Sequence, residues 1–183
     1  MSLPARWRVI LPVVAFLFGW GAALFVLGKP VFVVGTSMSP TLKDGDCVLL
    51  VCCLPWSPLA RGDVVVVRDG DGKAVKRIVG LPGESIQLSE GRVIVNGFVL
   101  HEPYLPSTML TAASAKGTVF TLGEGQYFVM GDNRMESVDS RNYGPVKASN
   151  IIGAIDVDRH QPVRYLFRPT AWVYAQGRNA TQP

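Results

Sequence analysis

The hydrophobic pattern of the chain begins with one long apolar run. Residues 9–28 are twenty consecutive positions without a charged side chain. As a helix rising ~1.5 Å per residue, this run spans ~30 Å, the thickness of the hydrocarbon core of a bilayer. Pro12 falls in the first helical turn, where its missing N–H does no harm. The pattern therefore predicts a single-pass transmembrane helix over residues 9–28.

A cleaved secretory signal has a similar outline, because basic residues also precede its apolar core. The run here is longer than the usual core of ~7–15 residues, and no small-x-small cleavage site follows it. Both features favour an uncleaved anchor. Arg6 and Arg8 precede the run and only Lys29 directly follows it, so residues 1–8 are predicted to lie in the cytoplasm. Residues 29–176 would then form an extracytoplasmic domain, with a frayed polar tail at 177–183.

Beyond the apolar run, the spacing changes to short apolar segments separated by turns. β-Branched and aromatic residues alternate with Gly, Pro and Asp, and no long segment has helical spacing. This pattern predicts a mainly β fold, a compact antiparallel barrel-like domain. Asn96-Gly97 between two such segments is the strongest hairpin signal. The predicted strands cover residues 48–53, 63–68, 85–88, 92–95, 98–101, 119–122, 127–130, 151–157 and 163–167.

Composition and charge narrow the class of protein. The chain has 183 residues, which suits about one domain at ~150 residues each. Charged residues make up 17% and hydrophobic residues 48%, a balance that excludes disorder and favours contact with lipid. Arg6 and Arg8 supply half of the net charge of +4. The remaining charge is too small to indicate a nucleic-acid-binding surface, so no nucleic-acid partner is expected.

Cys47, Cys52 and Cys53 lie in one apolar segment that is predicted to be a strand. Along a strand Cys47 and Cys53 would be ~20 Å apart, whereas a disulfide requires Cα atoms within ~4.4–6.8 Å. We expect these cysteines to be small buried hydrophobic residues. Neither histidine, His101 or His160, is near them in sequence, so no metal and no cofactor is expected.

Familiar catalytic signatures such as G-x-S-x-G, H-E-x-x-H and the Walker A motif are absent. Three polar clusters stand out instead, at residues 35–42 (GTSMSPTL), 76–84 (KRIVGLPGE) and 131–144 (GDNRMESVDSRNYG). A Gly-Asp strand, RGDVVVV at 61–67, lies between the first two. In this order behind an N-terminal apolar run, the four segments resemble the conserved boxes of the bacterial type I signal peptidases.

The resemblance implies a membrane-bound serine endopeptidase that removes signal peptides after small-x-small (Ala-x-Ala) sites. It makes Ser37 the nucleophile and Lys76 the general base, while Ser39 occupies a variable position of the motif. This assignment is chemically sound, because a lysine can take the serine proton only when it is neutral. Burial can lower a lysine pKa of ~10.4 by up to ~3–5 units. Ala74 and Val75 precede Lys76 and could help to provide such an environment.

Further site residues follow from the same resemblance. Ser137 would orient the base, Asp139 and Arg141 would form a supporting ion pair, and Gly131 would permit a close backbone approach or a conformation that a Cβ forbids. The Ser37 N–H would be one oxyanion donor. Some family members have a serine where this chain has Gly35, so the second donor is left open among a backbone amide, water and Thr36. The substrate pockets would be lined by Val33, Met38, Leu42 and Val75, for which the alternative role is core packing.

The resemblance also implies a location and partners. We expect a monomer in the bacterial cytoplasmic membrane that acts on preproteins, with the apolar loop at 54–59 touching the bilayer. Only residues 85–130 separate the second and third clusters, so this would be a minimal form with a short insertion at about 98–126. A pilin-processing peptidase of conjugative transfer, from the same superfamily, is an alternative. A non-catalytic membrane-anchored β-domain that binds peptides is another, although intact Ser37 and Lys76 argue against it.

Overall fold

The computed structural model describes residues 11–14, 16, 29–51, 59–70, 72–112, 114, 118–155, 157 and 172–174. Residues 11–14 and 16 are helical, while the rest of the predicted anchor lies outside the described residues. Within the described part of the chain, no helix has the length and apolar character needed to cross a membrane. The predicted strand at 163–167, the loop at 54–58, Cys52 and Cys53 also lie outside it.

Short strands dominate the described residues. In chain order they are β1 (Lys29–Val34), β2 (Cys47–Val51), β3 (Val64–Asp69), β4 (Gly72–Gly80), β5 (Ser85–Ser89), β6 (Arg92–Val95), β7 (Phe98–Val99), β8 (Val119–Thr121), β9 (Gln126–Met130), β10 (Val146–Lys147), β11 (Ile151–Ile155) and β12 (Trp172–Tyr174). One short helix, α1 (Ser140–Tyr143), precedes β10, and a 3-10 turn, Ala148–Asn150, follows it. The mainly β prediction is confirmed.

The larger sheet closes on itself. Its strands follow the order β10-β9-β4-β12-β1-β2-β11-β3, and β3 also pairs with β4. The additional pairing joins β4, β12, β1, β2, β11 and β3 into a barrel, because a ring of paired strands has no free edge. Most neighbouring strands are antiparallel, but β12 runs parallel to both β1 and β4. Strands β9 and β10 extend the sheet beyond β4.

Four consecutive valines in β3 show how the core is divided. Val64 and Val66 belong to the cluster that fills the barrel, whereas Val65 and Val67 belong to a second cluster. Successive side chains of a strand point to opposite faces, so a strand buried on both sides reads as a continuous apolar run. Strand β3 is therefore central to the fold, and it pairs along its length with β4.

The smaller sheet has the order β7-β6-β5-β8 and is inserted between β4 and β9. The predicted hairpin is confirmed, because Asn96 and Gly97 join β6 to β7 with positive φ angles of 51° and 86°, as the favoured two-residue turn requires. Apolar residues in and next to this sheet, including Ile86 and Leu122, pack with Phe128 of β9. Strand β7 is shorter than predicted and ends at Val99.

Some strands were not among the predicted ones. Strand β1 follows directly on the predicted anchor, and β10 and β12 have only two and three residues. Strand β4 carries Lys73, Lys76 and Arg77 in nine residues, and these charges hide its apolar pattern. Cys47, in β2, is a free thiol.

Candidate active site

Lys76 lies in the middle of β4 and is completely buried, with 0% exposure. Because side chains alternate along a strand, Lys76 shares its face with Ala74 and Ile78, two buried apolar residues. Across the β3–β4 ladder its partner is Val65, which is also buried. This apolar environment disfavours the charged form of the amine, because burial removes its hydration.

Ser37 is presented by the loop that follows β1. Gly35 turns the chain with a φ of 95°, and its N–H donates to the Asp44 carboxylate over 2.7 Å. A tight turn follows, in which the Ser39 N–H donates to the Thr36 carbonyl over 2.9 Å. The Ser37 side chain is buried, and its Oγ lies 3.0 Å from Lys76 Nζ. Two residues separated by 39 positions therefore meet at hydrogen-bond distance.

Burial lowers the pKa of Lys76 to about 8. Asp139 and Asp69 oppose this effect because their negative charges favour the protonated amine, while the positive charge of Arg141 reinforces it. At pH 7 about a tenth of an amine with this pKa is neutral, compared with less than a thousandth at the ordinary value of ~10.4. The site thus makes a lysine base available near neutral pH.

Gly131 shows why the third cluster needs a glycine. A Cβ at this position would lie 2.2 Å from Ser137 Oγ and 2.5 Å from the Ser37 carbonyl oxygen. Its φ is outside the left-handed region, so close packing rather than backbone conformation excludes a side chain. Asn133 strengthens the same contact, because its N–H donates to the Ser37 carbonyl over 2.9 Å. The third cluster is packed directly against the backbone of Ser37.

Asp139 and Arg141 form a buried ion pair, through two hydrogen bonds of 2.8 Å each. Burial by itself would raise the pKa of Asp139, but Arg141 and the Gly131 N–H hold it below the usual range. The Gly131 N–H donates to Asp139 over 2.9 Å, and Arg141 donates to the Arg134 and Ser137 carbonyls. The pair ties the loop of the third cluster together.

Ser137 is buried beside Gly131, but its Oγ has no hydrogen bond of normal geometry with the described residues. A role in orienting Lys76 therefore stays a prediction from the sequence. The side chain is nevertheless confined, since the missing Cβ of Gly131 is what makes room for it.

The candidate oxyanion donors differ in whether they already donate a hydrogen bond within the protein. No hydrogen bond among the described residues involves the Ser37 N–H, which leaves it available to a developing alkoxide. The Gly35 N–H is occupied by Asp44, and the Thr36 hydroxyl donates to Glu136 over 3.3 Å. Thr36 would have to give up that hydrogen bond to serve as the second donor.

The four predicted pocket residues lie together, but inside the barrel. Val33, Met38, Leu42 and Val75 are all buried in the same cluster. This position suits their alternative role in the core, and their contact with substrate stays a prediction. In sequence, Met38 directly follows Ser37, and Val75 directly precedes Lys76.

Sequence reasoning missed a group of buried charged residues beside the site. Arg77 donates to both oxygens of Asp132 over 2.8 and 2.6 Å, and both residues belong to the recognised motifs. Glu102 and Tyr104, which lie outside those motifs, join the same network. Among the described residues there is no group of three or more His, Cys, Asp or Glu side chains that could hold a metal ion.

Comparison with known proteins identifies the family. The family model for signal peptidases, peptidase S26, matches residues 5–158. Signal peptidase I of Bacillus licheniformis is 39% identical over 148 residues, covering 69% of this chain and 78% of the relative. Signal peptidase I U of Bacillus subtilis (strain 168) is 38% identical over 137 residues, covering 70% and 73%. A crystal structure of a signal peptidase I from Enterococcus faecalis has a TM-score of 0.46 at 28% identity, covering 55% of this chain and 98% of that one. The chain belongs to the signal peptidase family, peptidase S26.

Proposed function

We propose that this serine peptidase removes signal peptides by means of a Ser37–Lys76 dyad. The observation that carries the proposal is the 3.0 Å distance between Ser37 Oγ and the fully buried Lys76 Nζ. A serine hydroxyl needs a neighbouring base, and a lysine with a pKa of about 8 can act as one near neutral pH.

In the proposed reaction, neutral Lys76 takes the Ser37 proton as Oγ attacks the scissile carbonyl carbon. The Ser37 N–H donates to the oxygen that becomes negatively charged. Protonated Lys76 then gives its proton to the leaving amine, and an acyl-enzyme on Ser37 remains. Lys76, neutral again, activates the water that hydrolyses this ester and regenerates the serine.

We further propose that substrates bind as extended chains with small residues at alternate positions. Side chains of an extended peptide alternate in direction, so two shallow pockets would select a small-x-small sequence. Val33, Met38, Leu42 and Val75 are the candidates for the pocket walls, because they are apolar, share one buried cluster and lie close to Ser37 or Lys76 in sequence. Larger side chains would have to displace that packed cluster.

Residues 9–28 are proposed to anchor a monomeric enzyme in the cytoplasmic membrane, with residues 1–8 in the cytoplasm. Ser37 is nine residues beyond the end of this run, so at ~3.3 Å per residue it can stand at most ~30 Å from it. That distance keeps the catalytic serine close to the membrane surface from which signal peptides emerge.

The direct test uses the full chain in detergent or liposomes with a preprotein that contains an Ala-x-Ala site. Sequencing the N-terminus of the product should locate the cut directly after this site. The Ser37→Ala variant should give no product, whereas Ser39→Ala, its matched control in the same loop, should cleave normally. Cleavage by Ser37→Ala at the normal rate would contradict the assignment of the nucleophile.

A further inference from the structure

A buried arginine in the third cluster depends on a residue outside all the recognised motifs. Arg134 has 0% side-chain exposure, and its guanidinium binds both oxygens of Glu102, whose side chain is 12% exposed. Glu102 lies in the short insertion, just after β7. A buried guanidinium needs a counter-ion, because an unpaired charge is costly away from water. The insertion therefore supplies the carboxylate that pairs with Arg134.

Arg134 transmits this contact to the nucleophile. Its Nε donates to the Gly131 carbonyl over 3.0 Å, and Gly131 is the residue that packs against the Ser37 carbonyl. A second nitrogen donates to Thr111 over 2.8 Å, so the guanidinium is held on three sides. Movement of Arg134 would thus displace the Gly131 backbone, which packs against Ser37.

Tyr104 extends these contacts to the strand of the base, and Glu102, Arg134, Tyr104 and Arg77 together are called the clamp below. Its hydroxyl donates to Glu102 over 2.7 Å, and its ring lies beneath the Arg77 guanidinium, 4.0 Å from the ring centroid. Burial raises the pKa of Tyr104, and the neighbouring Glu102 adds to the effect, so the hydroxyl stays a donor. Arg77 directly follows Lys76 in β4. One carboxylate therefore reaches both halves of the dyad, through Arg134 on one side and through Tyr104 and Arg77 on the other.

We propose that Glu102 and Tyr104 are positioning residues that hold Ser37 and Lys76 in reactive alignment. The inference rests on the proposed Ser37–Lys76 dyad. It gives the short insertion a part in the reaction without contact with the substrate. Because a misplacement of ~1 Å can reduce an enzymatic rate by ~100-fold, a clamp on both reactive residues should affect turnover more than substrate binding.

The test measures kcat, KM and Tm of the full chain with the same preprotein between pH 6 and 10. Glu102→Gln keeps the shape of the side chain and removes its charge. We expect kcat to fall at least tenfold on the high-pH plateau, with KM within twofold of its normal value. The charges that act on Lys76 belong to Asp139, Asp69, Arg141 and Asp132, so the midpoint of the pH profile should stay in place.

Glu84→Gln is the matched control, because Glu84 also pairs with a partly buried arginine, Arg61. Glu84 otherwise accepts from the Leu81 N–H in the turn after β4, and its described hydrogen bonds involve neither Glu102 nor Tyr104. The Glu84→Gln variant should lower Tm by about as much as Glu102→Gln does, and its kcat should stay within twofold of the normal value. A Glu102→Gln variant that loses only Tm, or that shifts only the midpoint of the pH profile, would overturn the positioning role.

Two variants of Tyr104 keep the inference testable if Glu102→Gln does not fold. Tyr104→Phe retains the ring beneath Arg77 and loses the hydroxyl, while Tyr104→Leu loses both. The plateau kcat should fall several-fold in the first and further in the second, and unchanged values in both would refute the clamp. Loss of cleavage in Ser37→Ala checks the dyad separately, so that a failure of the dyad is distinguishable from a failure of the clamp.

Discussion

Strand β4 carries two lysines three positions apart whose surroundings are opposite. Lys73 is exposed at the start of the strand and faces Arg68 across the ladder, whereas Lys76 is fully buried opposite Val65. An odd spacing along a strand places the two side chains on opposite faces. The same residue type is thus a solvated surface group at one position and a buried amine of lowered pKa at the other. Position in the fold, rather than residue type, lowers the pKa of the amine.

The largest expected difference between the two lysines is in catalysis. Lys76→Ala should lower the cleavage rate by about a thousandfold or more, in line with the ~10²–10⁴-fold typical of a general base together with the loss of a group next to the nucleophile. Lys76→Arg should fail as well, because a guanidinium cannot be deprotonated. Lys73→Ala should stay within twofold in the same preprotein assay. A Lys76→Ala rate within tenfold of normal would contradict the role of Lys76 as the general base.

The two lysines should also differ in their effect on pH dependence. Only neutral Lys76 can act as a base, and burial lowers its pKa to about 8. We therefore expect kcat/KM to rise about tenfold per pH unit below pH 8 and to level off above it. Lys73→Ala should leave this curve in place. A rate that is constant from pH 6 to 10 would show that the titration of Lys76 is not part of the reaction.

A smaller difference is expected in stability. The folded pKa of about 8 lies below the unfolded value, so the folded state binds fewer protons between these values and stability rises with pH there. Below pH 8 the buried cation costs about 3 kcal/mol, at 1.36 kcal/mol per pKa unit.

Lys76→Met should remove this cost and raise Tm at pH 7 by roughly 6–12 °C, while inactivating the enzyme. The gain should vanish above about pH 10.5, where an unfolded lysine is also neutral. Lys73→Met should change Tm only slightly at either pH. Thermal unfolding at pH 7 and pH 10.5 tests this, and a lower Tm for Lys76→Met at pH 7 would contradict it.

Local sequence patterns predicted the parts of the fold that depend on neighbouring residues. Alternating or continuous apolar segments gave most strands, and Asn96-Gly97 gave its hairpin because turn geometry is set by two residues. Strand β12 is different, since it is placed by parallel pairing with β1 and β4 at a distance of more than ninety residues. No local spacing encodes such a pairing.

The candidate site was likewise predictable only where local motifs define it. Ser37 and Lys76 could be found because they lie in recognisable motifs, and the structure brings them within 3.0 Å. The burial of Lys76 could not be deduced from its sequence neighbours alone, since it depends on Val65 across the ladder. Glu102 meets Arg134 across 32 positions and Tyr104 meets Arg77 across a gap of similar size. From the sequence alone, a carboxylate in an insertion is predicted to be a surface residue, because its partner in the fold is not known.

The smallest expected effect concerns Asp69, an acidic residue of the β3–β4 ladder that acts on Lys76. Asp69 ends β3 opposite Gly72, and its negative charge raises the pKa of Lys76 against the effect of burial. Asp69→Asn should therefore lower the midpoint of the kcat/KM profile by a few tenths of a pH unit and leave its plateau unchanged, as expected for a charge acting through a partly screened medium. Glu124→Gln, in an exposed turn, should leave the midpoint in place. A midpoint that stays in place in Asp69→Asn would show that the charge of Asp69 does not act on Lys76.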